Sequence, residues 1–138
     1  MPSTSSKTGK IHSFAAGRRK SSVASVRLMP AKEDWIINNK KFTDYFNMPG
    51  AKVRYEKPFE VTKTLGKYSV SVRANGGGQT GQLDAVVLGI SRALVELKAD
   101  YKTLLKQEGL LTRDPRTRQR RNVGMAGKSR RKKSSPKR

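Results

Sequence analysis

Cysteine is absent from this chain of 138 residues, and histidine occurs once, at His12. The first absence excludes a disulfide framework and any thiolate metal site. The second excludes a multi-histidine metal site. Acids are scarce too: ten Asp and Glu stand against 31 Lys and Arg, for a formal net charge of +21. No apolar run approaches the roughly 18 residues that a membrane-spanning helix needs. Met1 to Lys10 has no apolar stretch of the secretory kind, and it lacks the arginines and amphipathic period of an organelle transit peptide. No nucleophile stands beside a base, and His12 lies in a Ser/Lys-rich head as a solvated loop residue. The sequence therefore offers no enzyme, no cofactor and no membrane partner.

What the chain has is positive charge, spread unevenly. Residues 112–138 carry twelve Lys/Arg against one acid, Asp114, whereas residues 21–111 carry fourteen against nine. Residues 1–20 add five basic side chains and no acid. The final segment offers only Val123, Met125 and Ala126 to bury, so it cannot offset its ordering entropy and is expected to stay extended until a partner supplies charge and shape. Guanidinium groups match phosphate geometry, which makes a polyanion the fitting partner. Arg113, Arg116, Arg118, Arg120, Arg121, Lys128, Arg130, Arg131, Lys132 and Lys133 are the expected RNA contacts of this tail. At this length there is room for one modest domain with extensions. The expected division is a flexible basic arm over 1–13, a globular domain over 14–111 and an extended basic tail over 112–138.

Within the domain, Ser22 to Met29 alternates as a strand, with Ala24, Val26 and Leu28 on one face and Ser25 and Arg27 on the other. Trp35 to Ile37 is expected as a short strand and Lys41 to Phe46 as a short helix. Trp35, Phe42, Tyr45 and Phe46 are expected at the edge of the core. Ala51 to Lys57 adds a helical turn that Pro58 should stop, and Phe59 to Leu65 is expected as a strand. The clearest strand follows Gly66, with Tyr68, Val70, Val72 and Ala74 facing one way and Ser69, Ser71, Arg73 and Asn75 the other. The clearest helix places Leu83, Val86, Val87, Ile90, Leu94 and Leu97 on one stripe. A shorter helix over Asp100 to Glu108 closes at Gly109. The class is α+β, a small two-layer sandwich with helices on one face of a sheet.

Gly76-Gly77-Gly78-Gln79-Thr80-Gly81 satisfies G-x-G-x-x-G between a strand and a helix, the placement of a dinucleotide fingerprint. That assignment fails because the chain turns helical again and then arginine-rich, leaving no second parallel strand. A Walker loop fails for want of Gly-Lys-Ser/Thr. Two explanations of the glycines remain: a flexible turn, or bare backbone at Gly76, Gly77, Gly78 and Gln79 approaching phosphate, with Arg73 and Arg92 nearby. Arg18, Arg19 and Lys20 form a basic cluster at the entry to the domain, either a solvated face or a phosphate contact. A nucleoid-type DNA-binding protein is the alternative that composition leaves open, since phosphate neutralisation alone does not distinguish duplexes. No unpaired apolar stripe suggests a homo-oligomer, and a membrane-active role would need an apolar face that the tail lacks.

Three ordered motifs and an end signature resemble the small ribosomal subunit protein number nine family, in its bacterial or organellar form. They are Gly17-Arg18-Arg19-Lys20-Ser21-Ser22; Gly76-Gly77-Gly78 with Gly81-Gln82 and Ala85, continuing to Gly89-Ile90-Ser91-Arg92-Ala93-Leu94; Thr112-Arg113-Asp114-Pro115-Arg116; and the terminal Lys137-Arg138. The resemblance runs from about Phe14 to Arg138. It implies an α+β fold like the second domain of ribosomal protein S-five, with a left-handed βαβ crossover. It also implies a place in the head of the small subunit, bound to its ribosomal RNA beside neighbouring head proteins, in the bacterial cytoplasm ahead of an organelle. The tail would thread toward the peptidyl-site tRNA, with Lys137 and Arg138 at its anticodon stem-loop. The chain departs from the family where Ser134-Ser135-Pro136 replace an aromatic and a serine before the final pair. That puts aromatic packing at the tip in doubt and leaves the electrostatic contact.

Overall fold

Alternation at Ala24, Val26 and Leu28 builds the central strand of the sheet, and all three side chains are fully buried. The structure, a computed structural model, describes residues 13–123. Most of the expected N-terminal arm and the tail beyond residue 123 lie outside the described residues. In chain order the elements are β1 (Ser13–Arg19), β2 (Ser22–Met29), β3 (Ile36–Ile37), β4 (Lys40–Lys41), α1 (Phe42–Tyr45), α2 (Ala51–Val61), β5 (Ser69–Asn75), α3 (Gln79–Leu97) and α4 (Tyr101–Gln107). One five-stranded sheet runs β1-β2-β5-β3-β4. Its pairs are antiparallel except β3 with β5, which α1 and α2 connect as a parallel crossover. The mixed α+β class expected above is the class found, with the helices against one sheet face.

β1 was not expected, and its composition says why. Its inward positions Ser13, Ala15, Gly17 and Arg19 pair with Leu28, Val26, Ala24 and Ser22, so no apolar alternation marks them. Ser13, Ala15 and Gly17 are small because α3 lies close beneath. A Cβ on Gly17 would sit 1.8 Å from the carbonyl oxygen of Ala85 and 2.6 Å from the amide nitrogen of Gly89. Gly81, Ala85, Gly89 and Ala93 recur at every fourth position of α3, one helical row, and Ser13 Oγ donates to the Ala93 carbonyl at 2.8 Å. α3 is buried well beyond the single stripe predicted from Leu83, Val86, Val87, Ile90, Leu94 and Leu97, of which Val87 and Leu97 are only half-buried.

Pro58 does not stop α2. The helix runs through it to Val61, burying Ala51, Tyr55, Pro58 and Phe59. Proline inside a helix costs about 3 kcal/mol, while full burial of an aromatic such as Phe59 returns roughly 1.5–3 kcal/mol on its own. Trp35, Phe42, Phe46, Tyr55 and Phe59 pack edge-on and tilted with centroids 4.9–6.4 Å apart, so the aromatic cluster outweighs the lost backbone bond. The strand expected over Phe59 to Leu65 is therefore wrong. Lys63 takes a left-handed φ of +55°, the Lys63 amide donates to Glu60 and the Thr64 amide donates to Phe59, a Schellman stop made without glycine. A second stop, at Gly109 with φ +69°, ends α4. The β3–β4 hairpin was also missed; Asn38 and Asn39 both hold positive φ, as a two-residue primed turn requires. Asn38 extends β3 by side chain, accepting from the Ala74 amide at 3.0 Å and donating to its carbonyl at 2.9 Å.

Candidate nucleic-acid interface

The turn that joins β1 to β2 sets one end of the domain. Lys20 adopts φ +54° there, and Ser21 and Ser22 press against the glycine loop. A Cβ on Gly76 would meet the Ser21 carbonyl oxygen at 2.6 Å, and one on Gly77 would meet Ser22 Oγ at 2.2 Å. Both glycines also hold positive φ. Packing inside the chain thus already requires glycine at 76 and 77, whereas Gly78 has open space around its α-carbon. Gly76 O accepts from Ser22 Oγ and from Gln82 Nε2, each at 3.0 Å. Gly76, Gly77, Gly78 and Gln79 are all exposed beside Lys20. The start of α3 has no side-chain cap, and α3 leads to α4, with no parallel strand after it among the described residues. The dinucleotide arrangement is absent from them.

Arg19 points inward from β1 and, with Arg116, is a predicted contact that the chain largely occupies itself. Its Nε lies 3.5 Å from Asp84 and its Nη2 lies 3.3 Å from Asp114. Its Nη1 donates to the carbonyl oxygens of Arg116 at 2.7 Å and Asp114 at 3.4 Å. Asp84 is shared with Arg54 of α2. Arg116 closes on Asp114 through Nε at 3.0 Å and Nη2 at 2.8 Å, while its amide donates to the same carboxylate at 3.0 Å. Two acids therefore gather three arginines and fasten the start of the tail to the domain. The side-chain and backbone donors of Arg116, helped by the charges of Arg116 and Arg19, hold the Asp114 carboxyl well below the ordinary carboxylate range.

A depressed carboxyl fixes the sign of the pH effect. The fastening is fully present above the unfolded carboxylate value, about 3.9, and is lost only as pH falls through the lower folded value. The amide resonance of Arg116 is accordingly expected to hold its position on acidification through pH 4 and to move only below. An Arg116 amide that titrates with a midpoint at about 4 would show that the carboxylate is not held.

Arg18, Lys20, Arg73, Arg113, Arg118, Arg120 and Arg121 are exposed, and none makes an ion pair among the described residues. The fold brings Arg18, Lys20, the glycine loop and the first tail residues to one end of the domain. Arg73 stands on the uncovered sheet face, and Arg92 donates to the Ala16 carbonyl. Lys128, Arg130, Arg131, Lys132, Lys133, Lys137 and Arg138 lie outside the described residues. Among those described, no cluster of His, Cys, Asp or Glu could hold a metal ion, and no helix is long and apolar enough to cross a membrane.

An open cationic end with a basic segment leaving it forms a surface for binding. Residues 17–138 match the family model of ribosomal protein S9/S16. The chain belongs to that family. It is a ribosomal protein, a structural component of a ribonucleoprotein that works in translation, and the family is not one of enzymes. The match takes in the β1–β2 turn, the glycine loop and the whole basic tail, so the geometry above is that of the family's own segment. Arg27 and Phe14, on the uncovered face of β2 and β1, were not singled out from sequence. The alternation that set Arg27 opposite Ala24, Val26 and Leu28 was the available signal, but β1 had to be known before Phe14 could join it.

Proposed function

We propose that this ribosomal protein sits in the head of the small subunit of a bacterial ribosome and binds its ribosomal RNA. In this assignment the tail runs through RNA, and Lys137 and Arg138 reach the peptidyl-site tRNA. The observation that carries it is the fastening at Arg19, Asp114 and Arg116. It ties down the root of the tail while Arg118, Arg120 and Arg121 stand exposed beyond it with no ion pair among the described residues, and a backbone held at its root can be aimed. Arg18, Lys20, Arg73 and the exposed loop at Gly76 to Gln79 supply further phosphate contacts from the domain. Family membership leaves no observation behind the DNA-compacting alternative.

Co-sedimentation with small subunits at high salt tests the placement directly, since a loosely held cation would wash away. For the tip, deletion of Lys137 and Arg138 is expected to leave assembly intact and to weaken tRNA retention at the peptidyl site modestly. Each exposed contact is worth no more than about 1 kcal/mol after screening. Unchanged tRNA affinity after that deletion would make the tip one more ribosomal RNA anchor.

A further inference from the structure

The uncovered face of the sheet is cationic and aromatic, and apart from Arg18 and Arg73 the contacts assigned above do not use it. Outward positions of β1 and β2 are Phe14, Ala16 and Arg18, then Val23, Ser25 and Arg27, since each lies between the buried positions of its strand. In register, Phe14 faces Arg27 and Arg27 faces Ser71; Ala16 faces Ser25 and Ser25 faces Arg73. Phe14 is 50% exposed, and it is the one aromatic among the exposed large hydrophobic side chains of the described residues. The Arg27 guanidinium carbon stands 6.0 Å from its ring centroid. No acid occupies an outward position on β1, β2 or β5. Arg18, Arg27 and Arg73 make no ion pair among the described residues.

An exposed ring beside a guanidinium plane, ringed by hydroxyls and by cations with no counter-charge, is the chemistry that receives an unstacked base with its flanking phosphates. We infer that this sheet face binds a single-stranded RNA segment, with a base stacked on Phe14 and Arg27, phosphates on Arg18 and Arg73, and Ser25 and Ser71 within reach of ribose or base edges. The inference rests on the ribosomal RNA-binding assignment and adds a second surface to it. A duplex cannot use the ring, because its bases are already stacked. An apolar protein partner would favour the face for Phe14, Val23 and Ile36, but it would leave three arginines to be desolvated without acids, so RNA is the better complement.

The test uses the full chain with Arg118→Gln, Arg120→Gln and Arg121→Gln, so that the tail contributes less, and a ten-nucleotide oligouridine as probe. Phe14→Leu keeps apolar bulk and removes the π face. It is expected to weaken oligouridine binding about tenfold, the scale of one lost base stack, without altering the salt slope. Phe14→Trp is expected to keep the affinity. Arg18→Gln with Arg73→Gln is expected to flatten the salt slope by about 1.4, at about 0.7 per phosphate on a single strand. A ten-base-pair RNA duplex should not register Phe14→Leu. Circular dichroism melting checks each fold, and the Trp and Gln variants carry the test should the Leu variant melt early. Unchanged oligouridine affinity in Phe14→Leu, with an unchanged slope in the arginine pair, overturns the inference. Loss of co-sedimentation with small subunits under those same conditions would give the face to a neighbouring protein instead. If the three tail substitutions alone cut RNA binding while every sheet variant is silent, the ribosomal RNA assignment survives and only this surface falls. If neither set matters, both fall.

Discussion

Gly17→Ala is expected to destabilise the domain by about 3 kcal/mol, a large part of the roughly 5–15 kcal/mol that holds a domain together. The new methyl would lie 1.8 Å from the Ala85 carbonyl oxygen and 2.9 Å from its carbon, both backbone atoms of a helix that cannot bend aside. Relief comes only by moving β1 off α3, which would also pull Ser13 from Ala93 and Arg19 from Asp84. With a urea slope near 2 kcal/mol per molar, the midpoint should fall by about 1.5 M. Two other glycines grade the effect. A Cβ on Gly89 meets a Val26 methyl at 2.6 Å but backbone only at 3.3 Å, the Gly17 nitrogen, so Gly89→Ala should cost less. Gly78 meets nothing within 4 Å and has φ −102°, so Gly78→Ala should stay within about 1 kcal/mol, the scale of an N-cap change. A Gly17→Ala chain within that same margin would mean that the strand and helix are not in backbone contact.

Replacement of Arg116, Arg118, Arg120 and Arg121 by glutamine is the second large effect. Arg118, Arg120 and Arg121 have no acid partner among the described residues, so their charge is available to phosphate. Arg116 differs, because it also closes the fastening on Asp114. At about 0.7 per neutralised phosphate, the salt slope for ribosomal RNA should lose up to about 2.8, and incorporation into small subunits should fail at physiological salt. Arg116→Gln alone should loosen the root of the tail and weaken binding beyond the loss of one contact. A fourfold variant with an unaltered salt slope would remove the tail from the list of RNA contacts.

The legible parts of the fold were those with a regular apolar period. β2 and β5 alternate cleanly, and α3 repeats Leu83, Val86, Ile90 and Leu94 at helical spacing, so all three were foreseen. What escaped was decided by tertiary contact. β1 has no apolar alternation because Gly17 and Ala15 make room for α3. α2 outruns Pro58 because Phe59 and Tyr55 join an aromatic cluster assembled from Trp35, Phe42 and Phe46, which local propensity cannot anticipate. The Asn38-Asn39 turn was visible in principle, since Asn tolerates positive φ, but two-residue strands give it little to punctuate. At the candidate interface the cationic residues were evident from composition alone. The occupation of Arg19 by Asp84 and Asp114 was not, because those partners lie 65 and 95 positions away along the chain.

β1 has one more consequence. Its first residue, Ser13, is bonded beside Ala93, and its last, Arg19, is fastened to the root of the tail. Seven strand residues put these two points about 20 Å apart. The first described residue and the root of the tail therefore sit at opposite ends of this one strand. On the RNA binding proposed above, a polyanion long enough to meet both points makes its second engagement intramolecular, at a local concentration set by the length of β1 rather than by the bulk solution. A polyanion too short to span it sees two separate weak ligands. On that same proposal, length of the nucleic acid, and not only its charge density, becomes a quantity that this small chain discriminates.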